Sequence, residues 1–333
     1  MRVAVVGSGI AGLAAANALL AHRDADVTMF EAAARPGGHV YTVEANGHAI
    51  DMGFIVCNRE RYPSFFALLA ELGIATRPTT MSFSVVTPRH EWGSASLDAM
   101  FAQRRRIFDP RHWGFLGDVV RFLLRAQRDL STALVQRASL DEYLAERRVS
   151  RDVRERFVVP LAAALWSLAP DACGAFPALT YFRFLEQHGM LSPVRPLQWH
   201  TVVGGSTRYL DALLGQLRAT KRFTLRLATP VASIVRDARG VTLRVAGAEQ
   251  RFDRLVVATH ANTTLSLLAS PTENERRTLG AFRYSTNRTV LHTDRAFLPR
   301  RAAAHAAWNY VADPDTARVA VTYSMTKLQG LPD

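Results

Sequence analysis

Three observations predict an α/β fold with more than one domain. The first 31 residues read as strand, glycine-rich turn, helix and second strand. An acidic residue closes that second strand. The chain has 333 residues, and at about 150 residues per domain this makes roughly two domains.

The elements follow in order. Arg2 to Val6 is a short apolar run of the kind a buried strand shows. Gly7-Ser8-Gly9-Ile10-Ala11-Gly12 follows at once, and Leu13 to His22 is rich in Ala and Leu, both strong helix formers. Val27 to Phe30 is the second strand and ends at Glu31. Arg2, the apolar stretch and the small residues around Ala14 could be mistaken for a secretory leader, but the strand–helix–strand parse accounts for the same residues.

The pattern has a physical logic, that of a Rossmann-like dinucleotide-binding unit. Gly7 allows the tight strand-to-helix turn. Gly9 lets the backbone approach a pyrophosphate with no Cβ in the way. Gly12 lets the helix pack close to the strand, and Ala16 keeps that face small. Ser8, Ile10 and Ala11 complete the turn, whose helix start offers N–H groups and a positive dipole end to phosphate. Glu31 is placed to accept hydrogen bonds from a ribose hydroxyl, which disfavours a 2′-phosphate and hence NADP.

The next residues carry a resemblance. Glu31-Ala32-Ala33-Ala34-Arg35-Pro36-Gly37-Gly38-His39, then Tyr41-Thr42, resembles the flavin amine oxidase superfamily, which also holds protoporphyrinogen oxidases and phytoene-type desaturases. The resemblance implies FAD as cofactor. It implies that Gly37 and Gly38 bring a second backbone loop to the pyrophosphate and flavin. It places Ala32 beside the ribose acid and Arg35 near the adenosine ribose or phosphates. Where most of the family has Arg after the glycine pair, this chain has His39. His39 is then a hydrogen-bond donor to the cofactor or a phosphate, a loop cap, or a point of covalent flavin attachment. Ile50-Asp51-Met52-Gly53-Phe54 resembles the family's next loop, putting Gly53 and Phe54 along the isoalloxazine; Asn46-Gly47 before it is also a hairpin signal. Val203-Gly204-Gly205-Ser206, Thr229 to Ile234 with Val231 near the adenine, and Arg254 to His260 with Thr259 under the FAD resemble later segments of the family.

On that resemblance the FAD-binding domain is discontinuous, residues 1–75 and 203–265, with an α+β substrate domain of residues 76–202 and 266–333. In the latter, Met81 to Trp92 reads as a strand or hairpin. Ser96 to Leu144 reads as helix-rich, with a helix start at Ser139-Leu140-Asp141-Glu142. Arg156 to Ala169 and Phe176 to Gln187 read as buried helices, and Arg288 to Thr293 and Arg318 to Met325 as strands. The family's closing strand and glycine-rich helix start over the flavin find no match here, and Leu328 to Asp333 reads as the start of a loop. Weakened FAD binding is the resulting expectation.

The formal net charge is +12, from 41 basic and 29 acidic residues. All but Lys221 and Lys327 of the basic residues are arginine. No Lys/Arg run interleaved with base-stacking aromatics of a known nucleic-acid module is present, so nucleic acid is not an expected partner. Two cysteines, Cys57 and Cys173, imply no disulfide framework and suit a reducing, cytoplasmic setting. No apolar run reaches the roughly 18 residues of a spanning helix. The stretch 101–128 combines Phe101, Phe108, Trp113, Phe115 and Phe122 with several arginines. It reads either as a basic face over an ordinary core or as a helix in peripheral contact with an acidic membrane surface.

No metalloprotease, serine-hydrolase, kinase or Cys-pair signature occurs, so neither a nucleophile nor a metal site is expected. The resemblance implies hydride removal from a C–H bond to flavin N5 and reoxidation by dioxygen. Many relatives hold a water near N5 with a lysine, and the matching stretch Arg288 to Thr293 has none. The substrate class therefore stays open between an amine and an apolar acyl or isoprenoid chain. Trp166, Phe182, Phe184, Trp199 and Tyr284 are candidates for an apolar pocket or for ordinary core. A non-catalytic FAD-binding module and a membrane-associated protein without cofactor are the remaining readings. No residue is assigned a catalytic role.

Overall fold

The structure, a computed structural model, describes all residues except 22–23, 167, 193–196, 313–318 and 333. The chain divides into two compact units.

The first unit comprises Met1–Ile55, Ala67–Ala75 and Val202–Val290. Its centre is a parallel four-stranded sheet in the order Phe223–Arg226, Asp26–Phe30, Arg2–Val6, Arg254–Val257. Parallel strands are covered on both faces, which is why Val3 to Val6 are all buried rather than alternating. Ala4, Val6 and Phe30 pack against Val231, Ile234, Leu243, Val245 and Phe252 of the antiparallel strands Val231–Asp237, Gly240–Val245 and Ala248–Phe252. Helix Ile10–Ala21 packs on the sheet and on helix Thr207–Ala219, burying Gly12, Leu13, Ala16 and Leu20. His22, the expected helix end, lies outside the described residues. Asn46 and Gly47, with φ of +52° and +75°, turn the hairpin between Thr42–Ala45 and His48–Asp51.

The unit boundaries differ from those read in the sequence. Residues 266–290 belong with the first unit and 56–66 with the second. Ala269 N–H donates to Ile234 O at 3.0 Å, and Arg236 Nη2 meets Glu275 Oε2 at 3.0 Å. These bonds tie the segment around helix Glu273–Gly280 to strand Val231–Asp237.

The second unit comprises Val56–Phe66, Thr76–Thr201 and Leu291–Asp333. Its four-stranded sheet runs Val319–Tyr323, Trp308–Ala312, Phe83–Val86, Glu91–Gly93. Buried Asn309 fastens the sheet: its Oδ1 accepts from Ser84 Oγ at 2.8 Å and Ala306 N–H at 3.0 Å, and its Nδ2 donates to Ala306 O at 2.8 Å. Helices Pro110–Asp129, Leu140–Glu146, Val159–Trp166 and Ala178–Gln187 supply much of the core, which includes Phe115, Phe122, Tyr143, Tyr181 and Phe182. Ser139 and Glu142 form the expected capping box. Pro160 sits inside a helical run, directly after a turn of π-helix at Arg154–Val158. The wider turn accommodates a residue that has no N–H and crowds the carbonyl four residues back.

Two strand expectations need correction. Arg288 to Thr293 is irregular and exposed, with Val290 at 58%. Its apolar pair Val290-Leu291 is adjacent rather than alternating, so neither face of a strand would be apolar. The strand is instead Trp308–Ala312, parallel to Phe83–Val86. Val319–Tyr323 realises most of the second expected run, Arg318 lies outside the described residues, and Met325–Gln329 is a helix that ends on Gly330 at φ +55°. Among the described residues no helix is long and apolar enough to cross a membrane, and no group of three His, Cys, Asp or Glu could hold a metal. Cys57 and Cys173 are free and buried, and burial pushes each thiol up to about 11.

Candidate functional site

All sixteen cofactor-site candidates, from Gly7 to Thr259, belong to the first unit. At the end of strand Arg2–Val6, the chain turns through Gly7 at φ +100°. A Cβ there would stand 2.6 Å from Ala258 O, and one on Gly12 would stand 2.0 Å from Gly7 O. The fold itself therefore demands glycine at both positions. Gly9 differs: a Cβ there would meet nothing within 4 Å. Ile10 and Ala11, at the start of the helix, are exposed. The first N–H groups of a helix have no carbonyl four residues back within it. Open ground, free donors and a positive dipole end thus coincide at Gly9.

Glu31 stands at the end of the neighbouring strand. Its Oε2 accepts from Ser8 N–H at 2.9 Å and Ser8 Oγ at 2.6 Å, and its Oε1 accepts from Ala33 N–H at 2.9 Å. Burial raises the carboxyl, but the hydrogen bonds from Ser8 and Ala33 outweigh it and hold Glu31 below its ordinary value. The group is ionised at neutral pH, and a carboxylate with about four acceptor positions has capacity left for a further donor. Ala32 beside it is exposed.

The second glycine loop lies against the first. Gly37 N–H donates to Ser8 O at 3.0 Å, and a Cβ on Gly38 would stand 3.2 Å from Gly9 Cα. Both glycines have positive φ, +105° and +57°. Arg35 is folded into its own loop: its guanidinium donates to Gly38 O at 3.1 Å and Val40 O at 3.3 Å and lies 4.1 Å from the Tyr41 ring centre. In this arrangement Arg35 braces the glycine pair. Gly53 closes behind His39, where a Cβ would stand 2.0 Å from His39 O, and Phe54 N–H donates to the same oxygen at 3.0 Å. Phe54 meets Tyr209 edge-on, with ring centres 6.5 Å apart.

Behind these loops, Asp51 Oδ1 accepts from Thr42 Oγ1 at 2.6 Å, Ser206 N–H at 2.8 Å and Ser206 Oγ at 2.7 Å. Burial is the largest influence on Asp51 and raises it, against the lowering effect of Thr42 and Ser206. The cluster ties hairpin 42–51 to the Gly204-Gly205 turn. Val231 is buried at the start of its strand, and Thr259 Oγ1 lies 2.9 Å from Thr264 Oγ1.

One grouping had no signal in the sequence. His39 stacks on His260 with ring centres 5.7 Å apart, and His260 stacks on Tyr284 at 4.4 Å. Residues 221 positions apart in sequence carry no periodicity that could pair them. Of the other aromatic pocket candidates, Phe182 is fully buried, Trp166 packs on Phe176, Tyr181 and Phe184, and Trp199 is 7% exposed. Those residues serve the packing of the second unit.

The Gly9 cradle, the acid at the end of the second strand and the glycine pair backed onto Gly9 define a dinucleotide-binding fold. The sequence matches the flavin-containing amine oxidoreductase family over residues 10–330, and the chain belongs to that family. FAD is the cofactor that membership assigns, and the residues present fit it. Solved structures of similar fold include putrescine oxidase bound to putrescine, at 18% identity and TM-score 0.61, covering 84% of this chain and 63% of that one. An oxidoreductase from Methanosarcina mazei matches at 16% identity and TM-score 0.58, covering 84% of this chain and 65% of that one. A fatty acid isomerase from P. acnes that produces CLA matches at 16% identity and TM-score 0.59, covering 84% and 63%. The chain thus spans somewhat under two thirds of the length of each of these structures.

Proposed function

We propose that this chain is an FAD-dependent oxidoreductase that takes a hydride from a C–H bond of a small organic substrate. The observation that carries the reading is Gly9: glycine stands where the chain leaves open space, flanked by positions where the chain itself requires glycine. When bound, FAD supplies the hydride acceptor. The helix start at Ile10 and Ala11 would hold the pyrophosphate, and Glu31 would accept from the adenosine ribose. Gly37 and Gly38 would keep the second loop close, with Arg35 bracing it from behind. Val231, Thr259, Gly53 and Phe54 would complete the adenosine and flavin walls. His39 would donate to the cofactor from its stack with His260. Domain limits near 75, 203 and 265 remain our proposal for where cofactor and substrate functions divide.

Reoxidation by dioxygen and an amine substrate form the first version of this proposal. Desaturation of an acyl or isoprenoid chain is the second, favoured by the absence of lysine from the stretch Arg288 to Thr293. The two buried thiols suit a cytoplasmic setting. The test begins with an absorbance spectrum of the purified chain after addition of FAD and desalting. Two flavin bands that persist, followed by anaerobic bleaching with one substrate class, would support the reading and select its version. Retained colour after denaturation would indicate covalent attachment, with His39 the candidate. A chain that retains no FAD would overturn the enzyme reading.

A further inference from the structure

In the second unit, the outward face of helix Pro110–Asp129 has an unusual composition. Trp113, Gly117, Val120 and Leu124 follow one another at four-, three- and four-residue spacing and form a single stripe. Trp113 is 52%, Val120 42% and Leu124 41% exposed, while Phe115, Val119 and Phe122 are turned to the core. Phe108, just before the helix, is 87% exposed. The Trp113 indole N–H already donates to Ile107 O at 2.8 Å, so the ring can enter an apolar phase without an unmet donor.

Beside the stripe runs a row of cations. Arg121, Arg125 and Arg128 border a groove of about 540 Å³, with Arg147 and Arg148 on its other side. Arg121 is paired with Asp118. Of the two acids that line the groove, Asp129 is engaged by Arg147 at 2.7 Å and by the Tyr143 hydroxyl at 3.0 Å, which leaves Glu146. Among the described residues Arg125, Arg128 and Arg148 form no ion pair. Apolar rings and cations on one face match an anionic lipid surface, with an acyl boundary below and phosphates at its edge.

We propose that this face seats the chain on an anionic phospholipid surface, with Phe108 and Trp113 entering the interface and Arg125, Arg128 and Arg148 meeting lipid phosphates. It is tested by sedimenting the full chain with phosphatidylglycerol–phosphatidylcholine vesicles and with phosphatidylcholine alone. Binding is expected to the mixed vesicles only and to weaken with salt. The double variant Arg125→Gln/Arg128→Gln should lower partitioning about thirtyfold. Phe108→Ser should lower it at least about tenfold, and both variants should keep the parent's melting temperature. Brominated lipid should quench the parent's fluorescence and lose most of that effect in Trp113→Phe. No sedimentation, or equal sedimentation of parent and variants, overturns the proposal. If inorganic phosphate or polyglutamate binds the groove while brominated lipid leaves Trp113 unquenched, the face takes free anions or an acidic protein, and the lipid assignment falls.

Discussion

Replacing Gly9 by alanine separates what the cofactor requires from what the fold requires. The new methyl meets no protein atom within 4 Å, and Gly9 is not among the glycines with positive φ. Alanine therefore costs the empty protein no contact and no backbone strain. It narrows the unfolded ensemble, which contributes about 0.4–1 kcal/mol of stability, or a rise of about 1 °C in melting temperature for a chain of this size. The same methyl projects about 1.5 Å into the space a pyrophosphate would occupy. Overpacking of that kind costs about 1–3 kcal/mol, so FAD affinity should fall about 5- to 150-fold. Gly12→Ala is the contrast, because its Cβ would stand 2.0 Å from Gly7 O and would displace the helix from the turn. That variant should lose stability and FAD together. The assays are thermal unfolding by circular dichroism and titration of the flavin-free protein with FAD. Parent-like FAD affinity in Gly9→Ala would refute the placement of the pyrophosphate. A fall in its melting temperature would refute the claim that the fold leaves Gly9 free.

Glu31→Gln removes the charge that accepts from Ser8 and Ala33, and should cost about 1–3 kcal/mol in chemical denaturation as well as FAD affinity. Because Glu31 is held below its ordinary 4.5, its stabilising effect is present above that pH and is lost as pH falls through it toward the folded value, which a denaturation series in acid would show. In the second unit, burial first, then Arg156 and Arg106, pushes His90 down to about 4, and burial also lowers His112. With folded values below the free value of 6.5, the unfolded chain binds protons first, so stability is lost as pH falls from 6.5 toward about 4. The loss should be on the order of 2 kcal/mol, and His90→Gln should flatten it; an unchanged pH profile would show that the cluster does not titrate this way. Gly53→Ala, whose Cβ would stand 2.0 Å from His39 O, should lower the melting temperature of the flavin-free protein. An unchanged value would mean the His39 loop is free to move aside.

The sequence by itself determined the features that local chemistry dictates. Gly7 and Gly12 announce a strand-to-helix turn because only glycine allows that backbone path and that close packing, and Gly9 between them leaves the open ground beside the helix start. Asn46-Gly47 announces a hairpin because both residues tolerate positive φ, and Ser139 with Glu142 announces a helix start because their side chains meet the orphan N–H groups. Each signal spans a few residues, so no distant partner can override it. Tertiary structure decided which distant segments meet. Arg288 to Thr293 is strand-like in residue type but presents no apolar face, while Trp308–Ala312 is held in the sheet by Phe83–Val86 and by Asn309 bonding to Ser84. The stack of His39 on His260 and of His260 on Tyr284, and the grip of Thr42 and Ser206 on Asp51, join residues up to 221 positions apart. Such contacts depend on how sheets and helices pack as whole bodies, and that packing is set by summed burial over the chain rather than by any one stretch of it.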